Sequence, residues 1–350
     1  MALVSGSSKR GRSGLGFGAL VDFATRSHKH AAATLLLVSL IAFLPGFFYI
    51  PPVDRDEARF AQATKQMIET GDYVDIRFQE VSRYKKPVGI YWLQAAAVHV
   101  GEAVGVPRAL TRIWLYRIPS LLGGIAAVLL TYWAALAFVT PRAALLAGFM
   151  MASSMMLGIE ARLATTDAVL LAAITAAMGA LGRAYLAGRE AYAELGPPLA
   201  LPAIFWTAVA AGLLLKGPLI LLFVALSCGT LAALDRSARF LLRLKPLPGM
   251  AWTLLLVLPW FIAIIARSGS AFFSDSLGGD FLAKVGGAQE MHWGPPGYYL
   301  AFFWLMFFPA AMLAPLAAGA VWRGRNEPGV RFLLAWIVPN WIVFELAMTK

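Results

Sequence analysis

Cysteine is almost missing from this chain: Cys228 stands alone among 350 residues. No intramolecular disulfide can form, and a metal site built on several cysteines is excluded. Charge is scarce too. Only 14% of residues are Asp, Glu, Lys or Arg, whereas 59% are hydrophobic; a soluble domain carries about 25% charged residues. There is no phosphate-binding glycine loop, no dinucleotide fingerprint, no short-period repeat and no stretch that reads as a soluble catalytic domain. What fills the chain instead is a series of mostly apolar runs of about 17–25 residues, the length that crosses a bilayer as a helix. Lys and Arg outnumber Asp and Glu by 30 to 19, a net charge of +11. In a soluble protein that excess would suggest nucleic acid. Here the basic residues sit largely in short loops between apolar runs, so membrane orientation accounts for them and no nucleic-acid partner is expected.

The predicted fold is an all-α polytopic membrane protein with about nine spans, near 31–50, 113–139, 143–159, 168–187, 199–215, 218–234, 247–266, 298–321 and 330–348. Residues 1–30, with Lys9, Arg10, Arg12, Arg26 and Lys29, read as a cytoplasmic tail ahead of a membrane domain over 31–350. The first run ends in Tyr-Ile-Pro-Pro rather than a small-x-small cleavage site, so it reads as an uncleaved span. The stretch 88–106 is the ambiguous one, because Gln94, His99 and Glu102 interrupt it. If it lies along the outer surface, the loops at Arg142, Arg183/Arg189, Arg236–Lys245 and Arg323–Arg331 all fall inside; if it spans, all fall outside. The positive-inside rule favours an interfacial helix, with 53–112 forming one long outer loop. Four polar features then share the outer side: 53–87, the turn 160–167, the turn 216–218 and the loop 267–297.

The most polar of these, VDRDEARFAQATKQMIETGDYVDIRFQEVSRYKKP over 53–87, holds Asp54, Asp56, Glu57, Glu69, Asp72, Asp75 and Glu80. Phe60, Ala63, Met67 and Ile68 have helical spacing, and Asp54 or Asp56 can cap that helix after Pro51-Pro52. Asp56 is placed to act as a general base, and Glu57 to touch an acceptor or a metal. The plainer reading is a pair of N-terminal carboxylates favoured by the helix dipole. Arg59 can pair with Asp56 or bind phosphate. Arg83, Tyr84, Lys85 and Lys86 form a cationic corner suited to a phosphate headgroup, or simply to anionic lipid. Asp167, in EARLATTDAVLL, is either a helix cap or a functional carboxylate at a span boundary. Arg162 either faces the same cavity or snorkels; Lys216 in LLLKGPL either snorkels or neutralises a lipid-linked phosphate. In the last outer loop Glu290 and His292 can hold a divalent metal ion or orient a substrate, although two ligands are few for a metal site.

DEARFAQATKQMIETGDYVDIRF, YKKPVGIYWLQ, ARLATTDAVLL, LLLKGPL and PWFIAI, in that order, resemble the bacterial branch of the protein O-mannosyltransferase superfamily, which includes the aminoarabinose transferases of lipid A. The resemblance covers about residues 30–350. It implies a GT-C fold with a periplasmic cavity, in the bacterial inner membrane. It also implies a polyprenyl-phosphate-linked sugar donor and a lipid A, lipopolysaccharide-core or other glycan acceptor. By motif match Asp56 takes the principal catalytic position and Asp167 the second acidic one. Lys86 and Lys216 would hold donor phosphate, with Leu215 replacing the family's usual threonine. Aminoarabinose transferases usually show Glu-Lys-Pro where this chain has Lys85-Lys86-Pro87, so a glutamate proposed as a metal ligand is missing. The chain ends at Met-Thr-Lys350, where the family's similar Thr-Lys begins a further motif and more helices; the expectation is an N-terminal part. The competing functional readings are a transporter or lipid flippase, and a non-catalytic polyprenyl-lipid-binding subunit.

Overall fold

The computed structural model describes residues 17–187, 189, 199–269, 272 and 295–347. The chain is an all-α membrane protein. Helices α1 (Phe17–Ala24) and α2 (His28–Phe43) lead to α3 (Arg55–Thr70), a two-residue hairpin of β1 (Arg77–Phe78) with β2 (Val81–Ser82), and α4 (Gly89–Ala103). Then come α5 (Ile113–Ala135), α6 (Pro141–Ala152), α7 (Met155–Glu160), α8 (Asp167–Leu186), α9 (Ala200–Lys216), α10 (Leu219–Asp235) and α11 (Pro246–Ser268). The last described helices are α12 (Tyr298–Met306), α13 (Ala314–Arg323) and α14 (Pro328–Leu346).

Among the described residues four helices, α5, α8, α11 and α14, are long and apolar enough to cross a membrane alone. α12 and the segment Ala310–Arg323, which contains α13, form a fifth candidate, bent by 108° at its break. α2, α6, α9 and α10 are apolar but only 12–17 residues long, short of the roughly 20 residues a straight span needs. The run expected as one span over 143–159 is two helices, parted at Ser153–Ser154. Ser154 turns its hydroxyl to the Met306 carbonyl on α12 instead of continuing an apolar face.

Helix α8 is the axis of the bundle. It is buried almost all round, packed by α5 on one side and α9 on the other. α11, by contrast, shows Leu254, Leu255 and Ile262 to the outside, the face expected to meet lipid. Two glycines set close approaches of one backbone to another. A Cβ on Gly123 of α5 would lie 2.7 Å from the Val169 backbone nitrogen, and one on Gly89 would lie 2.7 Å from the Leu214 carbonyl oxygen. Both contacts are to backbone, which cannot swing away as a flexible side chain can. They hold the first turn of α8 against α5 and the start of α4 against the end of α9. Gly123→Val is therefore expected to cost about 1–3 kcal/mol through overpacking. A lowered thermal unfolding midpoint in detergent checks this, and an unchanged midpoint contradicts it.

The two ends of the bundle carry different polar groups. At the α8 C-terminal end, Asp235 accepts from Tyr185 at 2.7 Å and pairs with Arg331 and Arg189, tying α10 to α8 and α14. At the α8 N-terminal end stand Asp167 and Lys216, about 30 Å away for a 20-residue helix. There too Glu345 of α14 accepts from the Gly297 and Leu300 amides and so caps α12.

Candidate functional site

The site is assembled where α3 begins, where α8 begins and where α9 ends. Helix α3 starts as its sequence dictates. Asp54 is the N-cap, its carboxylate accepting from the Asp56 and Glu57 amides at 2.6 and 3.2 Å. Phe60, Ala63 and Met67 form the buried face that docks the helix. The adjacent acids of the first turn then part company. Asp56 is half-exposed, 3.3 Å from Arg59 and 3.8 Å from Arg83. Glu57 is wholly buried, and so is its partner Arg117, whose Nε and Nη2 donate to the two carboxylate oxygens at 2.7 and 3.1 Å.

That buried pair organises the surroundings. Arg117 also donates to the carbonyls of Phe47, Ile50 and Pro51 at the end of the first apolar run. Glu57 accepts from the Ala164 amide at 3.1 Å. The turn before α8 is pinned further by Gln94, which donates to the Ala164 carbonyl, and by Ser120, which donates to the Thr165 carbonyl. The bonds to Ala164 and Thr165 fix the backbone that carries Asp167. Glu57 thus lies inside the protein beside Arg117, not on the cavity wall where an acceptor or metal would reach it.

Asp167 opens α8, and Lys216 closes α9 with its ammonium bonded to the Asp167 carboxylate. Lys86 adds to the positive field at Asp167. Because Arg83 faces Asp56 while Lys86 faces Asp167, the segment 83–87 links the two acids the sequence singled out. Beneath them lies a cavity of about 330 Å³. Glu160 and Asp167 form its polar end, and Met151, Met156, Leu157, Leu171 and Phe307 line its apolar wall. Burial pushes the Glu160 carboxyl up to about 7, with Asp167 adding to the effect; a hydrogen bond from Thr165 at 2.8 Å and the charge of Lys216 pull the other way.

The remaining predicted residues are distributed as follows. Lys85 is exposed beside Lys86. Tyr84 is buried and donates to Asp75 at 2.9 Å, and burial raises its phenol above the ordinary range, so it braces the loop. Arg162 turns from the lysines to the C-terminal end of α2, bonding the carbonyls of Ala42, Pro45 and Gly158. Glu290 and His292 lie outside the described residues. Among the described residues no group of three or more His, Cys, Asp or Glu side chains is placed to hold a metal ion. Sequence reasoning passed over Arg117 and Glu160. The signal for Arg117 was available: an arginine inside the apolar run IWLYRIPSLLGG needs a partner.

These features define an all-α membrane protein with an acid-and-lysine site, backed by an apolar slot, at one end of its bundle. The motif resemblance holds along most of the chain. An undecaprenyl phosphate-alpha-4-amino-4-deoxy-L-arabinose arabinosyl transferase of Pseudomonas paraeruginosa is 28% identical over 322 residues, 89% of this chain and 55% of the relative. The transferase of the same description from Aeromonas salmonicida is 27% identical over 316 residues, 87% of this chain and 54% of the relative. The crystal structure of ArnT from Cupriavidus metallidurans bound to undecaprenyl phosphate superposes with a TM-score of 0.77 at 19% identity, covering 91% of this chain and 56% of that one. The chain spans about half the length of the curated relatives it matches. No protein-family model matches it.

Proposed function

We propose that this site transfers a sugar from a polyprenyl-phosphate-linked donor to lipid A or another glycan, at the periplasmic face of the bacterial inner membrane. One observation carries the reading: the Lys216–Asp167 pair, flanked by Lys86, closes the polar end of a cavity whose other wall is apolar. A lipid-linked phosphate asks for that combination, cations for its headgroup and an apolar slot for its chain. The names of the similar proteins support the same donor class. The basic loops gather at the opposite end of the bundle, which by the positive-inside rule supports an outward-facing site.

In this reading the acceptor hydroxyl loses its proton to Asp56, its oxygen bonds to the anomeric carbon, and the bond from that carbon to phosphate oxygen breaks. Polyprenyl phosphate leaves with the electron pair, its charge held by Lys86 and Lys216. An acceptor that is already an anion needs orientation from Asp56 rather than a base. A single displacement inverts the anomeric configuration, so a product with retained configuration contradicts it. Lys216→Ala in lipid nanodiscs is expected to weaken binding of undecaprenyl phosphate about 10- to 100-fold, the worth of one charge-assisted hydrogen bond. Lys216→Arg should keep part of that affinity. Unchanged binding in Lys216→Ala would remove the phosphate from this lysine.

A further inference from the structure

The donor-phosphate site contains a third acid that the transfer scheme leaves without a task. Glu160 ends α7 and lines the same cavity as Asp167, and the Lys216 ammonium is bonded to Asp167. Its side chain is held in place by the Thr165 hydroxyl at 2.8 Å. We propose that binding of the donor phosphate is coupled to uptake of a proton by Glu160. The inference rests on the phosphate occupying the Lys216 end of this cavity.

The physical argument is one of charge balance in a confined space. Before the ligand arrives, two carboxylates among the described residues face the cavity, and Lys216 is bonded to one of them. A phosphate brings a further negative charge and draws Lys216 toward itself, so Asp167 loses part of its counter-charge. Three acidic groups then share the lysines. Glu160 is the member that accommodates them by taking a proton, because the side chain bonded to it is the neutral Thr165 hydroxyl, whereas Asp167 is paired with an ammonium, and burial beside Asp167 already raises its proton affinity.

Among the described residues, the groups that face Glu160 are few. Asp167 of α8 and Asp54 at the start of α3 raise its proton affinity, and Lys216 of α9 lowers it. Arg162, on its own turn, is occupied with the carbonyls at the end of α2. Arg117 of α5 is committed to Glu57. From α6, Arg142 stands at the helix start, against Asp22. The segment of α2 that meets α7 carries no charge, and neither does α12. The pKa of about 7 leaves Glu160 partly ionised near neutrality, so a proton can be gained on binding. The sign is fixed: a ligand that takes up a proton binds less tightly as pH rises. Above pH 7 affinity is expected to fall by up to about tenfold per pH unit.

The test uses the full chain in nanodiscs and a short-chain polyprenyl phosphate methyl ester, a phosphodiester with no proton of its own between pH 6 and 9. Titration calorimetry in two buffers of different ionisation heat counts the protons taken up. Wild type should gain a fraction of a proton on binding at pH 7.5, and its affinity should fall as pH rises to 8.5. Glu160→Gln should bind with no proton uptake and a flat pH profile. Thr165→Val removes the hydrogen bond that favours the charged carboxylate, so its fall in affinity should begin at higher pH; this variant keeps the test sharp if the glutamine variant fails to fold. Binding without proton uptake in wild type, or uptake that survives in Glu160→Gln, overturns the coupling and leaves the phosphate site standing. Failure of the probe to bind wild type at any pH overturns the site reading and the coupling with it.

Discussion

Arg117→Met is expected to destabilise the protein by about 3–5 kcal/mol, the cost of leaving one charge of a buried pair without its partner. Glu57 would remain at zero exposure with its principal cation gone, and the carbonyls of Phe47, Ile50 and Pro51 would lose their donor. Glu57→Gln breaks the same pair from the other side but retains an acceptor for the Ala164 amide, so its loss should be smaller. The double variant should recover part of the difference, because no lone charge stays buried, but not all of it while the three carbonyls lack a donor. Thermal unfolding of the four proteins in one detergent measures the cycle. Additive losses in the double variant would mean that Glu57 and Arg117 do not depend on one another.

Asp56→Asn is expected to leave folding intact and lower sugar transfer by about 10²–10⁴, the usual contribution of a general base. The stability side follows from exposure. Asp56 is half-exposed and its pairs with Arg59 and Arg83 are long, so losing them costs at most about 1 kcal/mol. Protein level should match wild type while product formation from a lipid-linked donor collapses. Full activity in Asp56→Asn would reduce this residue to a first-turn carboxylate that serves only the helix dipole.

The contrast between these neighbours shows what a sequence can and cannot disclose. A helix here, a cap at Asp54 or Asp56 and an apolar face at Phe60, Ala63, Met67 and Ile68 followed from periodicity and capping rules; the structure takes Asp54 as the cap and buries Phe60, Ala63 and Met67. Asp56 and Glu57 looked alike because both fall in the first turn of that helix. Which one points inward depends on Arg117, 60 residues away, and no local pattern encodes that distance. The same holds for Arg162. Its spacing from Asp167 suggested a shared cavity, but the chain turns between them and sends the guanidinium to α2. Lys216 and Asp167 were legible as boundary charges because the apolar runs around them are long. Their mutual bond was not, since it joins the ends of two helices 49 residues apart in sequence. Glu160 was overlooked for a different reason: its proton affinity is set by burial and by Asp167, and neither is visible until the cavity is closed.

The most direct measurement of the central claim is mass spectrometry of lipid A, core oligosaccharide and polyprenyl-phosphate lipids from cells with and without this gene. If the site transfers a sugar from a polyprenyl-phosphate donor, the deletion strain loses one sugar residue from one glycan, and a polyprenyl-phosphate sugar carrying the same residue mass accumulates. Identical glycans and identical lipid-linked sugars in the two strains would contradict the account.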